Sequence, residues 1–248
     1  MTRRLAAALA AAIAVAGCGA DGSPKRDRAA TETATPTATA TPAAPPSPRA
    51  RTVRFKASDG APVVARYTSS GGRDVPAIVL LHEIRGGPAQ WDGLVPYLHE
   101  AGFATLAYQS RPSPIERDRI HDLLGALRWL RARPEVDDRR LGLVGASIGA
   151  STTVYAMAKA TRRTVAAAVA LSPPDSADIW ALQSDDRYRP HDVLMVSDER
   201  ESSAVDGMMD GAVRSRAMRS DQSGHGVALL AERRVHDALL AWLDERVR

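Results

Sequence analysis

The segment Leu141–Ser151 constrains the fold of this chain more than any other part of the sequence. It reads LGLVGASIGAS: a short apolar run, a Gly-x-Ser-x-Gly turn centred on Ser147, and a stretch without proline up to about residue 160. This order predicts a buried strand, a sharp turn and a helix. Glycine is expected two positions before and after the serine, because side chains there would collide with neighbouring backbone. The Ser147 hydroxyl and the Ile148 amide then both point above the sheet edge, where the amide can donate to a developing oxyanion.

The rest of residues 51–248 alternates between strand-like and helix-like segments. Strands are predicted at Thr52–Lys56, Pro62–Thr68, Ala77–Leu81, Ala104–Tyr108, Leu141–Val144, Val165–Leu171, Val193–Val196 and Val213–Met218, and helices at about 88–101, 116–132, 150–160 and 227–246. The continuous apolar run Ala77–Leu81 is typical of a strand that is covered on both faces. The alternation predicts an α/β domain with a mostly parallel sheet.

A serine hydroxyl becomes an effective nucleophile only when a base contacts it and a third group orients that base. His225 is the candidate base, because it lies between two glycines in the loop after the last predicted strand. The glycines would let its imidazole swing over the sheet edge towards Ser147. The other five histidines lie on predicted helices or precede Ser147 or a strand, and no pair has the i, i+4 spacing of a zinc site.

The carboxylate that would orient the base is expected just after the predicted strand Val193–Val196. Three acids follow there, within the segment SDERES. Glu201 is preferred, because the acid commonly lies about five residues past the strand and just ahead of a helix, here with Ser202 or Ser203 as its cap. Asp198 stays open, since aspartate is the usual acid in such arrangements.

The loop HEIRGG at 82–87, which follows the predicted strand Ala77–Leu81, is expected to supply a second oxyanion donor. The backbone amide of Ile84 is the candidate, and the glycine pair that ends the loop allows a sharp turn. A carboxylate at Glu83 would make ionisation nearby costlier unless it is paired with Arg85 or with a backbone amide. Glu83 therefore has either a structural or a tuning role.

Four segments carry a resemblance to the α/β-hydrolase superfamily and, within it, to the dienelactone hydrolase family. They are LLHEIRGG, LGLVGASIGA, AVALSP and GHG, and the resemblance covers most of residues 52–248. It implies a mostly parallel sheet with helices on both faces, no large lid, and an oxyanion amide at Ile84. Two departures matter. The best-known members have cysteine where this chain has Ser147, and the family's acid is normally aspartate, which keeps Asp198 open beside Glu201.

Together these residues predict a serine hydrolase that cleaves small carboxylic esters through an acyl-enzyme, with neither a metal nor an organic cofactor. The segment 172–190 is expected either to form one wall of a shallow pocket or to be an ordinary crossover loop. The alternative function is that of a non-catalytic envelope protein, which would use the same fold to bind a ligand or a partner.

The first 50 residues resemble an export signal, a lipid attachment site and a linker. A basic start and an apolar run too short for a permanent span predict a signal peptide over residues 1–17. The segment VAGC that ends at Cys18 resembles the lipobox of bacterial lipoproteins, which implies that Cys18 becomes the lipidated first residue. Residues 18–50 are rich in Thr, Ala and Pro and predict a disordered linker to a hydrolase domain at 51–248. The expected location is the extracytoplasmic side of the bacterial cell envelope, with the membrane as a partner.

Charge and cysteine content argue against other classes of protein. The 33 basic and 29 acidic residues are scattered along the chain, so nothing resembles a nucleic-acid-binding surface. A single cysteine cannot form an internal disulfide. None of these patterns bears on the oligomeric state.

Overall fold

The computed structural model describes residues 45–113, 116–159, 164–184 and 188–248. The predicted signal peptide, Cys18 and the linker before residue 45 lie outside the described residues. Within the described ranges, no helix is both long enough and apolar enough to cross a membrane.

The strands of the described residues form one eight-stranded sheet. The strands are β1 (Arg51–Lys56), β2 (Pro62–Thr68), β3 (Val75–Leu81), β4 (Ala104–Tyr108), β5 (Val136–Ala146), β6 (Ala167–Leu171), β7 (Val193–Ser197) and β8 (Arg216–Arg219). Their order across the sheet is β1-β2-β4-β3-β5-β6-β7-β8. Strand β2 is antiparallel to both of its neighbours, and every other neighbouring pair is parallel. The predicted α/β fold with a mostly parallel sheet is confirmed.

Helices connect these strands and cover both faces of the sheet. The α-helices of the described residues are α1 (Val95–Glu100), α2 (Glu116–Arg131), α3 (Ile148–Lys159), α4 (Ala177–Gln183), α5 (Ser202–Met209) and α6 (Arg233–Val247), with 3-10 turns at Pro88–Trp91, Glu199–Glu201 and Gly226–Ala231. Helices α2 to α5 pack on one face, and α1 and α6 pack on the other. All seven residues of β3 are buried between the two layers, as its continuous apolar run predicts.

The carboxyl ends of β3, β5, β7 and β8 meet at one edge of the sheet, because these strands run parallel. The loop 82–87 follows β3, and Ser147 follows β5. Glu201 comes shortly after β7, and His225 comes after β8. The topology therefore brings residues from four separate parts of the sequence to one edge, which is where ligands bind in open α/β sheets.

The predicted helix at 88–101 was wrong as one element. The structure has a 3-10 turn at Pro88–Trp91 and a separate short helix, α1. Gly93 lies between them, and glycine loses more backbone freedom in a helix than other residues do. Pro96 is tolerated near the start of α1, because the N–H that proline lacks would have no helical partner there.

Two predicted elements near the C-terminus also differ. The last strand runs from Arg216 to Arg219 rather than over 213–218, because Arg214 adopts a left-handed backbone with φ of +50° that interrupts the extended chain. The closing helix begins at Arg233 rather than at about 227. Glu232 has an extended backbone just before it, so the preceding 3-10 turn cannot continue into the helix.

Candidate active site

Ser147 lies in a sharp turn between β5 and α3. Its backbone is left-handed, with φ of +52°, which is uncommon for a residue other than glycine. The Ser147 N–H donates to the carbonyl of Leu171 on the adjacent strand at 2.8 Å. Its own carbonyl accepts from Ala150 at 2.8 Å and from Ser151 at 3.1 Å, which starts the helix. The turn is therefore fixed from both sides, and Ser147 is only 8% exposed.

The two glycines of the turn are required by space. A side chain at Gly145 would collide with the carbonyl of Gly149, and one at Gly149 would collide with the carbonyl of Leu81. Strand, turn and helix can approach this closely only because both positions lack a Cβ. The steric reason predicted for the glycine spacing is confirmed.

His225 and Glu201 are brought together by the structure. His225 Nδ1 lies 2.6 Å from Glu201 Oε1. An ionised carboxylate can only accept, so Nδ1–H donates, and in the neutral imidazole Nε2 then keeps a lone pair. Within the described part of the chain, neither Nε2 nor the Ser147 hydroxyl has a hydrogen-bond partner. A hydrogen bond between a nucleophile and its base often forms with good geometry only when substrate binds.

Asp198 is not brought to His225. Its carboxylate accepts from the side chain of Arg200 at 2.6 and 2.9 Å and from the backbone amides of Arg200 and Glu201 at 3.0 and 3.2 Å. The Arg200 guanidinium holds the pKa of Asp198 below its ordinary value. Asp198 is thus the cap of the 3-10 turn that carries Glu201. The prediction that Ser202 or Ser203 caps the following helix is wrong, because α5 already begins at Ser202, and its N-cap residue is Glu201.

The loop that carries His225 is tied to three other loops. The Gly224 amide donates to Asp198 at 3.2 Å, and the Gly226 amide donates to the hydroxyl of Ser172 at 2.9 Å. The Val227 amide donates to the carboxylate of Glu83 at 2.7 Å. Backbone amides on both sides of His225 are therefore held, which restricts where its imidazole can lie.

The carboxylate of Glu83 has a structural role, because it accepts hydrogen bonds from its own loop region and from the loop that carries His225. Besides the Val227 amide, it accepts from the side-chain amide of Gln90 at 3.1 Å. Gln90 in turn accepts from the Glu83 backbone N–H at 3.1 Å. Of the two pairings considered for Glu83, backbone amide or Arg85, the structure has the backbone amide. These donors stabilise the ionised carboxylate and connect the loop 82–87 to the loop that carries His225.

The matching family model covers the part of the chain with these residues. Residues 124–233 match the model described as BAAT / acyl-CoA thioester hydrolase C terminal. That segment includes Ser147, Glu201 and His225. No curated protein sequence matches the chain.

Solved structures of similar architecture include several hydrolases. A dienelactone hydrolase from Anabaena variabilis is 16% identical with a TM-score of 0.67, over 82% of this chain and 100% of that one. An esterase from Pyrococcus furiosus is 15% identical with a TM-score of 0.67, over 81% and 94%. The carboxylesterase EstE1, from a metagenomic library, is 16% identical with a TM-score of 0.65, over 82% and 91%.

The fold is that of the α/β hydrolases. In the α/β-hydrolase fold the nucleophile occupies a strand-to-helix turn, followed along the chain by the acid and then by histidine. Ser147, Glu201 and His225 occur here in that order. At these identities the likeness concerns the fold, and the roles of these residues stay predictions.

A cavity of about 310 Å³ opens beside the two candidate oxyanion residues of this α/β-hydrolase fold, Ile84 and Ile148. Leu81 and Pro112 complete its apolar wall. As the first residue of α3, Ile148 has an N–H without an intrahelical partner. The cavity therefore lies beside the two candidate oxyanion residues, whereas Ser147, Glu201 and His225 are not among its described lining residues.

Two arginines in the cavity wall are held by carboxylates. Arg111 pairs with Asp59 at 2.6 Å and with Asp122 at 2.7 Å. Arg119 pairs with Glu116 at 2.7 Å, and both of these side chains are buried. Their charges are compensated, so they stabilise the wall. Within the described ranges, no group of three His, Cys, Asp or Glu side chains could hold a metal ion.

Sequence reasoning missed Ser172, Gln90 and the positioning role of Asp198. Ser172 lies in the segment AVALSP, which carried a family resemblance but no role for its serine. Its hydroxyl meets the Gly226 amide across 54 positions, and no local pattern indicates such a contact. The capping role of Asp198 did have a signal, because aspartate at the end of a strand commonly caps the turn that follows.

Proposed function

We propose that this protein is a serine hydrolase that cleaves small carboxylic esters. Ser147 Oγ attacks the ester carbonyl while His225 Nε2 takes its proton. The amides of Ile148 and Ile84 donate to the oxyanion of the tetrahedral intermediate. His225 then gives the proton to the leaving alcohol, and the acyl group stays on Ser147. His225 next takes a proton from water, which attacks the acyl-enzyme. When this second tetrahedral intermediate collapses, His225 returns the proton to Ser147 Oγ, and the carboxylic acid is released.

The contact between His225 Nδ1 and Glu201 Oε1, at 2.6 Å, is the observation that carries this proposal. It fixes the tautomer in which Nε2 is the free base, and it places a negative charge where an imidazolium would form. Three features of His225 agree with a catalytic role: a carboxylate at Nδ1, a glycine on each side, and a loop that is hydrogen-bonded to three other loops. The left-handed Ser147 supports the same assignment, because strained backbone concentrates at active sites.

The cavity beside Ile84 and Ile148 supports small substrates. Its volume of about 310 Å³ lies at the lower end of the usual range for ligand pockets. The description of the matching family model includes a thioester hydrolase. A thioester would follow the same acyl-enzyme route, with a thiol as the leaving group. Thioesters are therefore a second substrate class to test, and the reaction type is unchanged.

Hydrolysis of p-nitrophenyl esters and of matched thioesters, over increasing acyl length, tests the function. The purified protein should turn over short acyl chains and should react with a fluorophosphonate probe. The Ser147→Ala variant should do neither, and it serves as the matched control for contaminating esterases. If the wild-type protein hydrolyses no ester or thioester and takes up no probe, the non-catalytic binding function replaces the proposal.

The proposed location is the extracytoplasmic face of the bacterial envelope, with lipid attached at Cys18. The support is the sequence VAGC, after a basic start and an apolar run, followed by a Thr/Ala/Pro-rich stretch before the hydrolase domain. Two or more acyl chains hold a protein stably at a membrane, whereas one gives only marginal binding.

A further inference from the structure

His82 lies at the end of β3 and is only 6% exposed, although it lines the cavity beside Ile84. Its Nδ1 lies 2.6 Å from the carbonyl oxygen of Glu83. Its Nε2 lies 3.0 Å from the Ser110 backbone nitrogen and 3.2 Å from the side-chain nitrogen of Gln109. Both ring nitrogens of this buried histidine are therefore in use.

The partners of His82 determine where its proton lies. The Glu83 carbonyl can only accept, so Nδ1 carries the hydrogen. The Ser110 N–H can only donate, so Nε2 must offer a lone pair. The ring is therefore neutral and has a single allowed tautomer. A second proton, on Nε2, would face the N–H of Ser110 and the NH₂ of Gln109.

The carbonyl that His82 holds belongs to the same peptide unit as the Ile84 amide. A peptide unit is planar and trans, so the carbonyl oxygen of Glu83 and the N–H of Ile84 point in opposite directions. The Gly86 amide donates to the same carbonyl at 2.9 Å. Two donors thus fix the carbonyl on one side, and this sets the direction of the Ile84 N–H on the other.

We propose that His82 is a positioning residue, whose neutral ring fixes the Glu83–Ile84 peptide so that the Ile84 amide faces the oxyanion. This inference rests on the esterase function proposed above. His82 touches no reacting atom. It acts through one peptide plane, in a site where displacement of about 1 Å can reduce the rate substantially.

Charged groups around the cavity decide whether His82 can gain a proton. Glu83 on its own loop favours the charged ring, while burial opposes it more strongly and lowers the pKa of His82 below 6.5. Arg85, on the same loop, and Arg111 and Arg119, on the facing elements, line the same cavity, and carboxylates compensate the charges of Arg111 and Arg119. The ring therefore stays neutral near pH 7, and it loses its contact with Ser110 when it is protonated at lower pH.

Two variants separate the two ring nitrogens. In His82→Asn the side-chain amide can place a donor where Nδ1 lies. In His82→Gln the longer side chain places its amide where Nε2 lies and leaves no donor at the position of Nδ1. Removing an oxyanion donor costs about 10²–10³-fold in kcat. The Gly86 amide still holds the carbonyl in both variants, so we expect a smaller effect than complete loss of the donor. His82→Gln should lower kcat by about tenfold, and His82→Asn should keep most of the wild-type kcat. KM should change little in either, because the oxyanion exists only in the transition state and the intermediate.

Nuclear magnetic resonance of the full-length wild-type protein tests the same inference without turnover. We expect the imidazole ¹⁵N shifts of His82 to report a protonated Nδ1 and a bare Nε2 at pH 7. On acidification, the backbone amide signal of Ile84 should shift with the midpoint of His82. An Nε2-protonated ring, or an Ile84 signal that ignores the His82 titration, would overturn the inference.

The two experiments distinguish failure of this inference from failure of the esterase function. If the wild-type protein cleaves esters and folded His82→Gln matches it in kcat, His82 has no positioning role. If the wild-type protein cleaves nothing, the esterase function fails. The response of the Ile84 amide signal to the titration of His82 still decides whether His82 orients the Glu83–Ile84 peptide. If a variant unfolds, the wild-type titration alone decides.

Discussion

Two carboxylates after β7, three residues apart, have different roles. Glu201 meets the imidazole of His225, whereas Asp198 meets Arg200 and three backbone amides. Asp198 is 1% exposed and lies beneath both Glu201 and the His225 loop. One acid is placed to stabilise a charge on histidine, and the other to hold the first acid and the histidine loop in place.

Glu201→Gln and Asp198→Asn should therefore have different effects. We expect Glu201→Gln to lower kcat on the order of 10³-fold with little change in melting temperature, since it removes the charge opposite the imidazolium. Asp198→Asn should keep most of kcat but melt at a lower temperature, because it breaks the Arg200 pair. Steady-state kinetics and calorimetry measure both. The reverse pattern would make Asp198 the acid.

Asp198 also predicts how stability responds to acid. Its pKa is lower in the folded protein than its ordinary value of 3.8, so the unfolded chain binds more protons than the folded one. The stabilisation is complete above pH 3.8 and is lost as the pH falls through the folded-state pKa. We expect the melting temperatures of wild type and Asp198→Asn to differ at pH 7 and to converge in strong acid. A constant difference across this range would contradict the assigned cause.

Gly226→Ala should damage the site through backbone strain. Gly226 has φ of +57°, and a side chain there would meet the carboxylate of Glu83. The left-handed conformation alone costs a residue other than glycine about 1–2 kcal/mol. We expect a lower melting temperature together with a loss of kcat, as Glu83 and the His225 loop are displaced. Gly93→Ala is the matched control, because its position is open and its backbone is not left-handed.

At the residue scale, the sequence indicated the nucleophile turn more sharply than the acid. Gly145 is imposed by the carbonyl of Gly149, four residues along the chain, and Gly149 by the carbonyl of Leu81 on the neighbouring strand. Both glycines belong to one strand-to-helix turn, so they stand at fixed positions around Ser147 and leave a local pattern. The choice between Glu201 and Asp198 depends on the side-chain direction of each, which is set by Arg200 and by the distant Gly224. No pattern within the segment SDERES could record the latter contact.

Helix α5 connects the candidate acid to the last strand, and its glycine offers a test at the level of the element. Gly207 is exposed, and a Cβ there would meet nothing within 4 Å. Glycine costs an exposed helix about 0.8–1.0 kcal/mol relative to alanine. We expect Gly207→Ala to raise the free energy of unfolding by about that amount and to leave kcat unchanged. Chemical denaturation measures the free energy of unfolding, and steady-state kinetics measure kcat. A lower free energy of unfolding in the variant would show that only glycine tolerates the backbone at this position.

Elements with a strong internal period were predicted well, and those that depend on distant partners were not. Strand β3 and helix α2 lie where the apolar pattern places them, at Val75–Leu81 and Glu116–Arg131. The closing helix begins later than predicted, because Glu232 accepts from the Ser220 hydroxyl and the Asp221 amide. Its apolar spacing alone could not reveal that interruption.

At the scale of the whole molecule, the proposed lipid anchor at Cys18 can be tested on the full chain. We expect the full chain to fractionate with membranes and to incorporate labelled fatty acid in a bacterial host. Cys18→Ala should abolish the label and release the protein from the membrane fraction, while the kcat of the purified variant stays that of the wild-type protein. If Cys18→Ala still carries the label, lipidation at this cysteine is wrong.

The hydrogen bond between Glu83 and the Val227 amide spans 144 positions and joins the first loop of the site to its last. Contacts of such long range form late, after the intervening chain has been ordered. A nascent chain that ends before residue 227 lacks this connection and also helix α6, so the sheet face that α6 covers stays exposed. Hydrolytic competence would therefore be gained in one step at the end of biosynthesis, so that truncated products would be inert even where part of the sheet had folded.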